Sequence, residues 1–294
     1  MTHPKTSVEQ AVETYLLTGD YDSMYPAWSG DFISRERRAY ADCLRALCQR
    51  VKELAGPTSG RESPGIDSVT LTRGRVAPMV FGLFPGAERE AVLGLVERSV
   101  RFLTAETIEP VLLEPRWLGT AWDVANLYLG SVGAPLLGIE APSIVGLSVG
   151  TTCIVSAGYF EEDDPFADFI VHEVAHIFHN CKRGVVGLPQ TRRRQWLLDI
   201  EFRKRETFAY SCEVYGCIAR RARSPGDRLA LAGEYEQVGR VHDARAAHDE
   251  IADIVREACA ARNGWRTILA RCKGALGLAG EVDSRRLARW ERHA

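Results

Sequence analysis

The chain has 294 residues, of which 46% are apolar and 26% are charged, so it can bury a substantial core and is unlike a disordered protein. The 37 basic and 39 acidic residues nearly balance, which excludes a global field drawing the chain to nucleic acid or an anionic membrane. The N-terminal segment lacks the features of a secretory signal, and no run of about 18 apolar residues occurs. We therefore expect a cytoplasmic protein without a membrane span.

Two helices are predicted near the N-terminus. In "SVEQ", Ser7 is a helix N-cap with Gln10 as its capping-box partner, which predicts a helix over residues 7–17. Apolar residues between Tyr40 and Val51 recur at helical spacing and predict a second helix over residues 34–54. The stretch "GPTSGRESPG" then breaks the pattern with Gly and Pro. These features predict an N-terminal helical region over residues 1–60.

The following section mixes predicted strands and helices. Three stretches are typical of strands: "SVTLT", "PMVFGLF" and "PVLLE". The pattern over residues 88–103 predicts an amphipathic helix. The stretch "PSIVGLSVGTTCIVSAGYF" predicts two β runs around a glycine turn. From residue 191 the pattern is mostly helical, including a polar run over 227–263 and a short helix from residue 283. We predict an α+β fold, with a mixed domain over residues 66–223 and a C-terminal helical region, 224–294, packed on it.

The stretch "DPFADFIVHEVAHIFHNCKRG" predicts a metal-binding helix. Asp164 followed by Pro165 is typical of a helix start, and Gly184 of its end. His172 and His176 then lie one turn apart on the same face, so both imidazoles can reach one ion. Glu173 lies about 100° around the helix from His172, flanking such an ion. This H-E-x-x-H arrangement offers two nitrogen ligands and a carboxylate that can take a proton from water.

A catalytic zinc site needs a third protein ligand. A third histidine six residues after His176 is absent, because position 182 is Lys182. In "LLDIEFRKRETFAYSCEVYGC", a helix would align ionisable groups along one stripe with Phe202 and Ala209 beside it. The stripe comprises Asp199, Glu206, Tyr210, Glu213 and Cys217. The best candidate ligand on it is Glu206, 30 residues after His176, and Asp199, Glu201 and Glu213 remain alternatives.

The pair HEVAH and ETFAY resembles the zincin metallopeptidases, specifically the gluzincin-like branch whose third ligand is a Glu on a following helix. The interval and the E-x-x-A pattern are similar to compact intracellular peptidases of the ImmA/IrrE type. The resemblance covers only about residues 153–216. It implies a zincin-like core, a Zn²⁺ ion bound by His172, His176 and Glu206, Glu173 as general base, and a peptide or protein substrate.

Three further features could serve such a site. Tyr210 is a candidate hydrogen-bond donor to an oxyanion, and His179 could orient a metal ligand. "TTCIVSAGYF" is the segment we expect to pair with a substrate backbone, as a strand does in the related enzymes. Basic residues around the motif form either a solvated helix face or a binding surface for an acidic group, and they lack the interleaved aromatic residues of a nucleic-acid site. They are Lys182, Arg183, residues 192–194 and 203–205, Arg220, Arg221 and Arg223.

Two other functions remain open on these residues. A helix carrying H-E-x-x-H can support hydrolysis of a small molecule, or redox chemistry with iron, since two His and a carboxylate also suit Fe(II). A regulatory protein with a vestigial metal site is the other alternative. The eight cysteines form no C-x-x-C pair, and we interpret them as buried free thiols.

Overall fold

The computed structural model describes residues 7–56, 67–139, 141, 146–161, 163–192, 194–241 and 243–274. Within them, the chain forms eleven α-helices and a small mixed sheet of three strands, which confirms the predicted α+β class. In chain order the elements are α1 (Val8–Thr18), α2 (Phe32–Ala55), α3 (Ser68–Leu83), α4 (Gly86–Val96), β1 (Val100–Leu103), α5 (Ile108–Leu112), α6 (Leu118–Ser131), β2 (Gly146–Val149), β3 (Thr152–Ser156), α7 (Phe169–Asn180), α8 (Arg205–Arg221), α9 (Pro225–Val238), α10 (His248–Ala260) and α11 (Gly264–Cys272).

The chain divides into two compact units, each built from stretches that are separated in sequence. The described part of the first unit comprises residues 7–56, 103–139 and 141. That of the second comprises residues 67–102, 146–161, 163–192, 194–241 and 243–274. The division into regions 1–60, 66–223 and 224–294 stays a prediction. None of the helices that the structure describes combines the length and hydropathy needed to span a bilayer.

The first unit consists of the helices α1, α2, α5 and α6. The capping box at the start of α1 is confirmed: the Gln10 backbone N–H donates to the Ser7 hydroxyl, and the Ser7 backbone N–H donates to the Gln10 side chain. α2 covers the predicted second helix and buries Leu44, Leu47 and Val51 along one side. The stretch "PVLLE", predicted as a strand, lies mainly in α5, so that prediction is wrong.

Helix α3 overturns the predicted strands "SVTLT" and "PMVFGLF". Val and Thr favour strands individually, which misled the prediction. The apolar residues Val76, Met79, Val80 and Leu83 nevertheless follow helical spacing, and all four are buried. The predicted helix over residues 88–103 is also too long, because α4 ends at Val96 and the chain continues into β1.

The sheet has the strand order β1-β3-β2, with β2 and β3 antiparallel. Gly150, in the turn between β2 and β3, has a positive φ of 61°, which glycine adopts without strain. β3 is buried from Cys153 to Val155 and has a neighbouring strand on each side. The assignment of "TTCIVSAGYF" as the strand that pairs with a substrate is therefore wrong. Among the described strands, β2 is the edge strand beside β3, and it is only half-buried.

Helix α7 is shorter than the predicted histidine helix at both ends. It begins after Asp168, whose carboxylate accepts the Val171 backbone N–H, while Asp164 caps a separate turn before it. It ends at Asn180 because Cys181 is extended and its carbonyl accepts the Leu197 backbone N–H at 3.0 Å. The chain thus leaves the helix to pair with residues 196–198.

Helix α8 is at the centre of the second unit's helical layer, and α7, α10 and α11 all pack against it. It buries Phe208 and Ile218 completely, and α10 contributes Ile251 and Ile254 to the same core. The polar run over residues 227–263 contains α9 and α10, which are separated by a loop. The helix predicted from residue 283 lies outside the described residues.

Candidate metal centre

Three predicted ligands come together between α7 and α8. The Nε2 atoms of His172 and His176 lie 3.2 Å apart. Oε2 of Glu206, in the first turn of α8, lies 3.7 Å from Nε2 of His172 and 3.4 Å from Nε2 of His176. Both imidazoles are buried, and the Glu206 side chain is 15% exposed. Two nitrogen donors and one carboxylate oxygen therefore face a common point, as a metal-binding group requires.

The other candidates for the third ligand lie elsewhere. The side chain of Glu213 is bound to Nδ1 of His172, the nitrogen that faces away from Glu206. Asp199 and Glu201 are exposed and precede α8. The predicted helix through Asp199 does not form there, because the Leu197 backbone N–H donates to the Cys181 carbonyl and Ile200 pairs with Lys273. Of the carboxylates considered, Glu206 is the one placed with both imidazoles.

Glu213 fixes the orientation of His172. Its Oε2 lies 2.9 Å from Nδ1 of His172, and its Oε1 accepts the backbone N–H of Asp168 at 2.7 Å. Because a carboxylate only accepts, we assign the His172 proton to Nδ1, which leaves the Nε2 lone pair for a metal. A buried carboxylate thus holds the ring of His172 by its outer nitrogen, as around many metal-bound histidines.

His176 is oriented by a second imidazole. Its Nδ1 lies 3.0 Å from Nε2 of His179, and Nδ1 of His179 lies 3.1 Å from the side-chain oxygen of Asn180. Burial, followed by the nearby His176 and Arg205, lowers the pKa of His179 to about 2, so this ring stays neutral. When neutral His179 donates its Nδ1–H to Asn180, its Nε2 can accept a hydrogen bond from Nδ1 of His176. The Nε2 atom of His176 then faces Glu206.

The local electrostatics favour positive charge between the imidazoles. Burial lowers the pKa of His172, but the carboxylates of Glu206 and Glu213 outweigh burial and raise that pKa to about 10. Burial raises the pKa of Glu206, yet the two imidazoles outweigh it and hold this pKa well below its usual range. Carboxylates that draw a proton onto His172 would equally attract a metal cation.

Arg245 holds the outer oxygen of Glu206. This residue comes from the loop between α9 and α10, and its Nη2 lies 2.9 Å from Oε1 of Glu206. Its Nε also donates to both carboxylate oxygens of Asp243 at 2.8 Å. Because Arg245 binds Oε1, the Oε2 atom of Glu206 is left to face the imidazoles.

Glu173, the predicted general base, lies against the start of β2. A Cβ atom added to Gly146 would lie 2.9 Å from Cγ and 3.0 Å from Oε1 of Glu173, closer than real side chains approach each other. A side chain at position 146 would therefore displace the Glu173 side chain, and glycine avoids this. The Glu173 side chain is buried between the edge strand and the histidine helix.

Tyr210 also lies at the site. Its ring packs edge-on against the His172 imidazole, with the centroids 4.6 Å apart and the planes at 77°. It lies one turn after Glu206 on α8, as predicted, and is half-buried. Its role as a donor to an oxyanion stays a prediction.

Four residues of the basic cluster are paired with carboxylates, one of them Arg220, which binds Asp168 at 2.6 Å. Glu88 of α4 binds the buried guanidinium of Arg183 at 2.7 Å and that of Arg194 at 3.1 Å. Lys204 pairs with Glu250. These side chains serve as links between segments of the second unit, which weakens the hypothesis that they bind a ligand.

Sequence reasoning missed three residues that shape the site: Arg245, Gly146 and Asn180. Arg245 comes from a loop with no periodic pattern, and nothing near it in sequence indicated the contact with Glu206. The benefit of glycine at position 146 depends on the packing of a strand against α7. Asn180 directly follows His179, so its position could have been noted from the sequence. The eight cysteines are free and buried, as predicted.

The donor separations are compatible with a tetrahedral metal ion, and they can be compared with those expected for zinc. Bonds of about 2.0–2.1 Å to nitrogen and oxygen place neighbouring ligand atoms of such a site roughly 3.3 Å apart. The observed separations of 3.2, 3.4 and 3.7 Å are close to that value without rearrangement of either helix. Three protein donors also leave one position of a four-coordinate ion to water or substrate, which is the arrangement of catalytic zinc sites.

None of the protein-family models matches the chain, no curated protein matches it, and no solved structure matches it. The resemblance to zincins therefore depends on the motif residues themselves and on their geometry. The structure provides a His172–His176–Glu206 group that could hold a metal ion, with Glu173 and Tyr210 on the same two helices.

Proposed function

We propose that this protein is a zinc-dependent hydrolase that cleaves peptide bonds. The observation that carries the proposal is the triangle of His172 Nε2, His176 Nε2 and Glu206 Oε2, with separations suited to a tetrahedral ion. A zinc ion held there would act as a Lewis acid and lower the pKa of a water molecule toward about 7.

The protein's own groups would manage the protons. Glu173 lies between His172 and His176 on α7. It is not one of the proposed metal ligands. We assign it the role of general base, taking a proton from the attacking water and returning it to the leaving amine. We assign Tyr210, whose ring packs on His172, the role of donating a hydrogen bond to the carbonyl oxygen as negative charge develops there.

The edge strand β2 is the part of the sheet suited to hold an extended substrate. Among the described strands it has a neighbour on one side only, and its first residue, Gly146, contacts Glu173. A peptide added along β2 would use backbone hydrogen bonds for binding and would pass directly beside the general base. In this proposal β2, and not the "TTCIVSAGYF" segment that contains β3, pairs with the substrate.

The test combines metal quantification with cleavage of a proteome-derived peptide mixture. Native protein, Glu173→Gln and Glu201→Gln are purified without added metal, Glu201 being an exposed carboxylate near α8 but outside the site. We expect about one zinc per chain in all three, and new fragments from the native and Glu201→Gln proteins only.

Two results would contradict the proposal in different ways. Identical fragment profiles for native protein and Glu173→Gln would exclude peptide cleavage by this site. Iron in place of zinc would favour the redox alternative, because two His and one carboxylate also suit Fe(II).

A further inference from the structure

Arg205 lies beside the candidate metal centre. It is the first residue of α8 and directly precedes Glu206. Glu206 faces the two imidazoles through Oε2, and Arg245 binds its outer oxygen, Oε1.

The charge of Arg205 has no counter-ion in the part of the chain that the structure describes. The side chain is half-buried, with its guanidinium 5.2 Å from the centre of the Phe202 ring. Its Nε is inaccessible to solvent and has no hydrogen-bond partner there. Neighbouring cations differ, since Lys204 pairs with Glu250 and Arg245 with both Asp243 and Glu206.

The Nε of Arg205 is costly to bury, because burial removes its hydration and no protein acceptor replaces it. Arginine is also the side chain best suited to bind a carboxylate, through paired N–H donors in one plane. Arg205 adjoins Glu206 of the proposed metal centre. We therefore expect the missing partner of its guanidinium to belong to the substrate.

We propose that Arg205 binds a carboxylate of the substrate, so that this protein acts on peptides carrying an acidic group beside the scissile bond. The inference depends on the proposed function, because it places that substrate at the metal centre. The carboxylate could be a chain terminus or an acidic side chain, and the experiment distinguishes these sources.

The test measures binding of three hydroxamates to the zinc-loaded protein by calorimetry, so it does not require turnover. Each carries a metal-chelating hydroxamate joined through a malonyl group to a single amino acid. The first ends in alanine with a free carboxylate, the second in aspartate amide, and the third in alanine amide, which is neutral. The proteins are the native chain, Arg205→Gln and Arg203→Gln, Arg203 being an exposed neighbour outside the site.

We expect at least one acidic compound to bind the native and Arg203→Gln proteins about tenfold or more tightly than the neutral compound, as charge-assisted hydrogen bonds do. Arg205→Gln should lose this preference while binding the neutral compound unchanged. Equal binding of all three compounds to native protein, or a preference that survives in Arg205→Gln, would overturn the assignment of Arg205 and leave the proposed function intact. If no hydroxamate binds, the open metal position itself is refuted.

Thermal unfolding provides a second readout that is independent of ligands. Because Arg205 lacks a counter-ion among the described residues, Arg205→Gln should be at least as stable as the native chain, which also shows that it folds. A clearly lower Tm would mean that Arg205 stabilises the fold through a partner of its own, and would count against the proposal.

Discussion

Glu213 binds His172 across the interface between α7 and α8, with 2.9 Å between Oε2 and Nδ1. The other oxygen of the same carboxylate accepts the backbone N–H of Asp168, at the N-cap of α7. One buried side chain of α8 therefore fixes both the start of the histidine helix and the rotation of its first imidazole. The ligand from α8 and the two from α7 are held in a common frame before any ion binds.

Replacing Glu213 by Gln should weaken zinc binding by about tenfold to a hundredfold, the usual effect of removing a group that orients a metal-bound histidine. A glutamine amide can accept one of the two N–H groups, but its NH₂ group faces the other donor. Zinc affinity is measured by competition with a chromophoric chelator. Glu234→Gln, an exposed change on α9, is the control and should bind zinc as the native protein does. Unchanged affinity in Glu213→Gln would show that His172 is positioned by packing alone.

Replacing Gly146 by Ala should impair turnover while leaving zinc affinity unchanged. The added Cβ would lie 2.9 Å from Cγ of Glu173, so the carboxylate must move, and misplacement by about 1 Å can cost a hundredfold in rate. The atoms nearest to the added Cβ all belong to Glu173, so the three proposed ligands should keep their positions. Both quantities are measured on zinc-loaded protein with the best peptide substrate.

Gly74→Ala is the matched control for that change, because a Cβ at position 74 meets no atom within 4 Å. It should leave turnover and zinc affinity as they are. Full activity in Gly146→Ala would remove Glu173 from the role of general base, or show that β2 shifts without consequence.

Local patterns in the sequence were sufficient for part of the site. His172, Glu173 and His176 lie within two turns of one helix, so the helical period alone determines their relative directions. Glu206 required a further step, the expectation that the next helix returns alongside with its acidic stripe facing inward. The contact between Arg245 and Glu206 could not be predicted, because the two residues are 39 positions apart and Arg245 lies in a loop.

The errors in the fold have a common cause in long-range structure. The order β1-β3-β2 places β3 in the centre, and no property of "TTCIVSAGYF" shows whether a strand is central or at an edge. For α3, the strand preferences of individual Val and Thr residues and the helical spacing of Val76, Met79, Val80 and Leu83 indicate different structures. In that segment the burial of one helix face decided the structure.

Replacing Glu88 by Gln should lower the free energy of unfolding by about 3–5 kcal/mol, because it leaves a buried charge without its partner. Glu88 binds the guanidinium of Arg183, whose side chain is 1% exposed. Arg194→Gln removes the second partner of the same carboxylate, but Arg194 is 52% exposed, so the expected loss is below about 1 kcal/mol. Chemical denaturation of both variants gives the comparison. If Glu88→Gln and Arg194→Gln lost similar unfolding free energy, the buried pair with Arg183 would contribute no more stability than the exposed pair.

Asp123 should make the first unit less stable as pH rises from about 4 to 6. Burial raises the pKa of this half-buried carboxyl on α6 from 3.8 to about 6. Below pH 4 the folded and unfolded chains both hold the proton. Between pH 4 and 6 only the folded chain still holds it, so the unfolding free energy falls, and the loss is complete above pH 6.

Asp123→Asn removes this dependence. At pH 7.5 the variant should exceed the native protein in unfolding free energy by about 1–2 kcal/mol, a value discounted for the partial exposure of the carboxyl. At pH 3.5 the two should be equal, and comparing the proteins at each pH cancels the titration of all other groups. Asp20→Asn, an exposed change in the same unit, should show no difference at either pH. If Asp123→Asn raised the unfolding free energy by the same amount at both pH values, the cause would be packing and not the charge of Asp123.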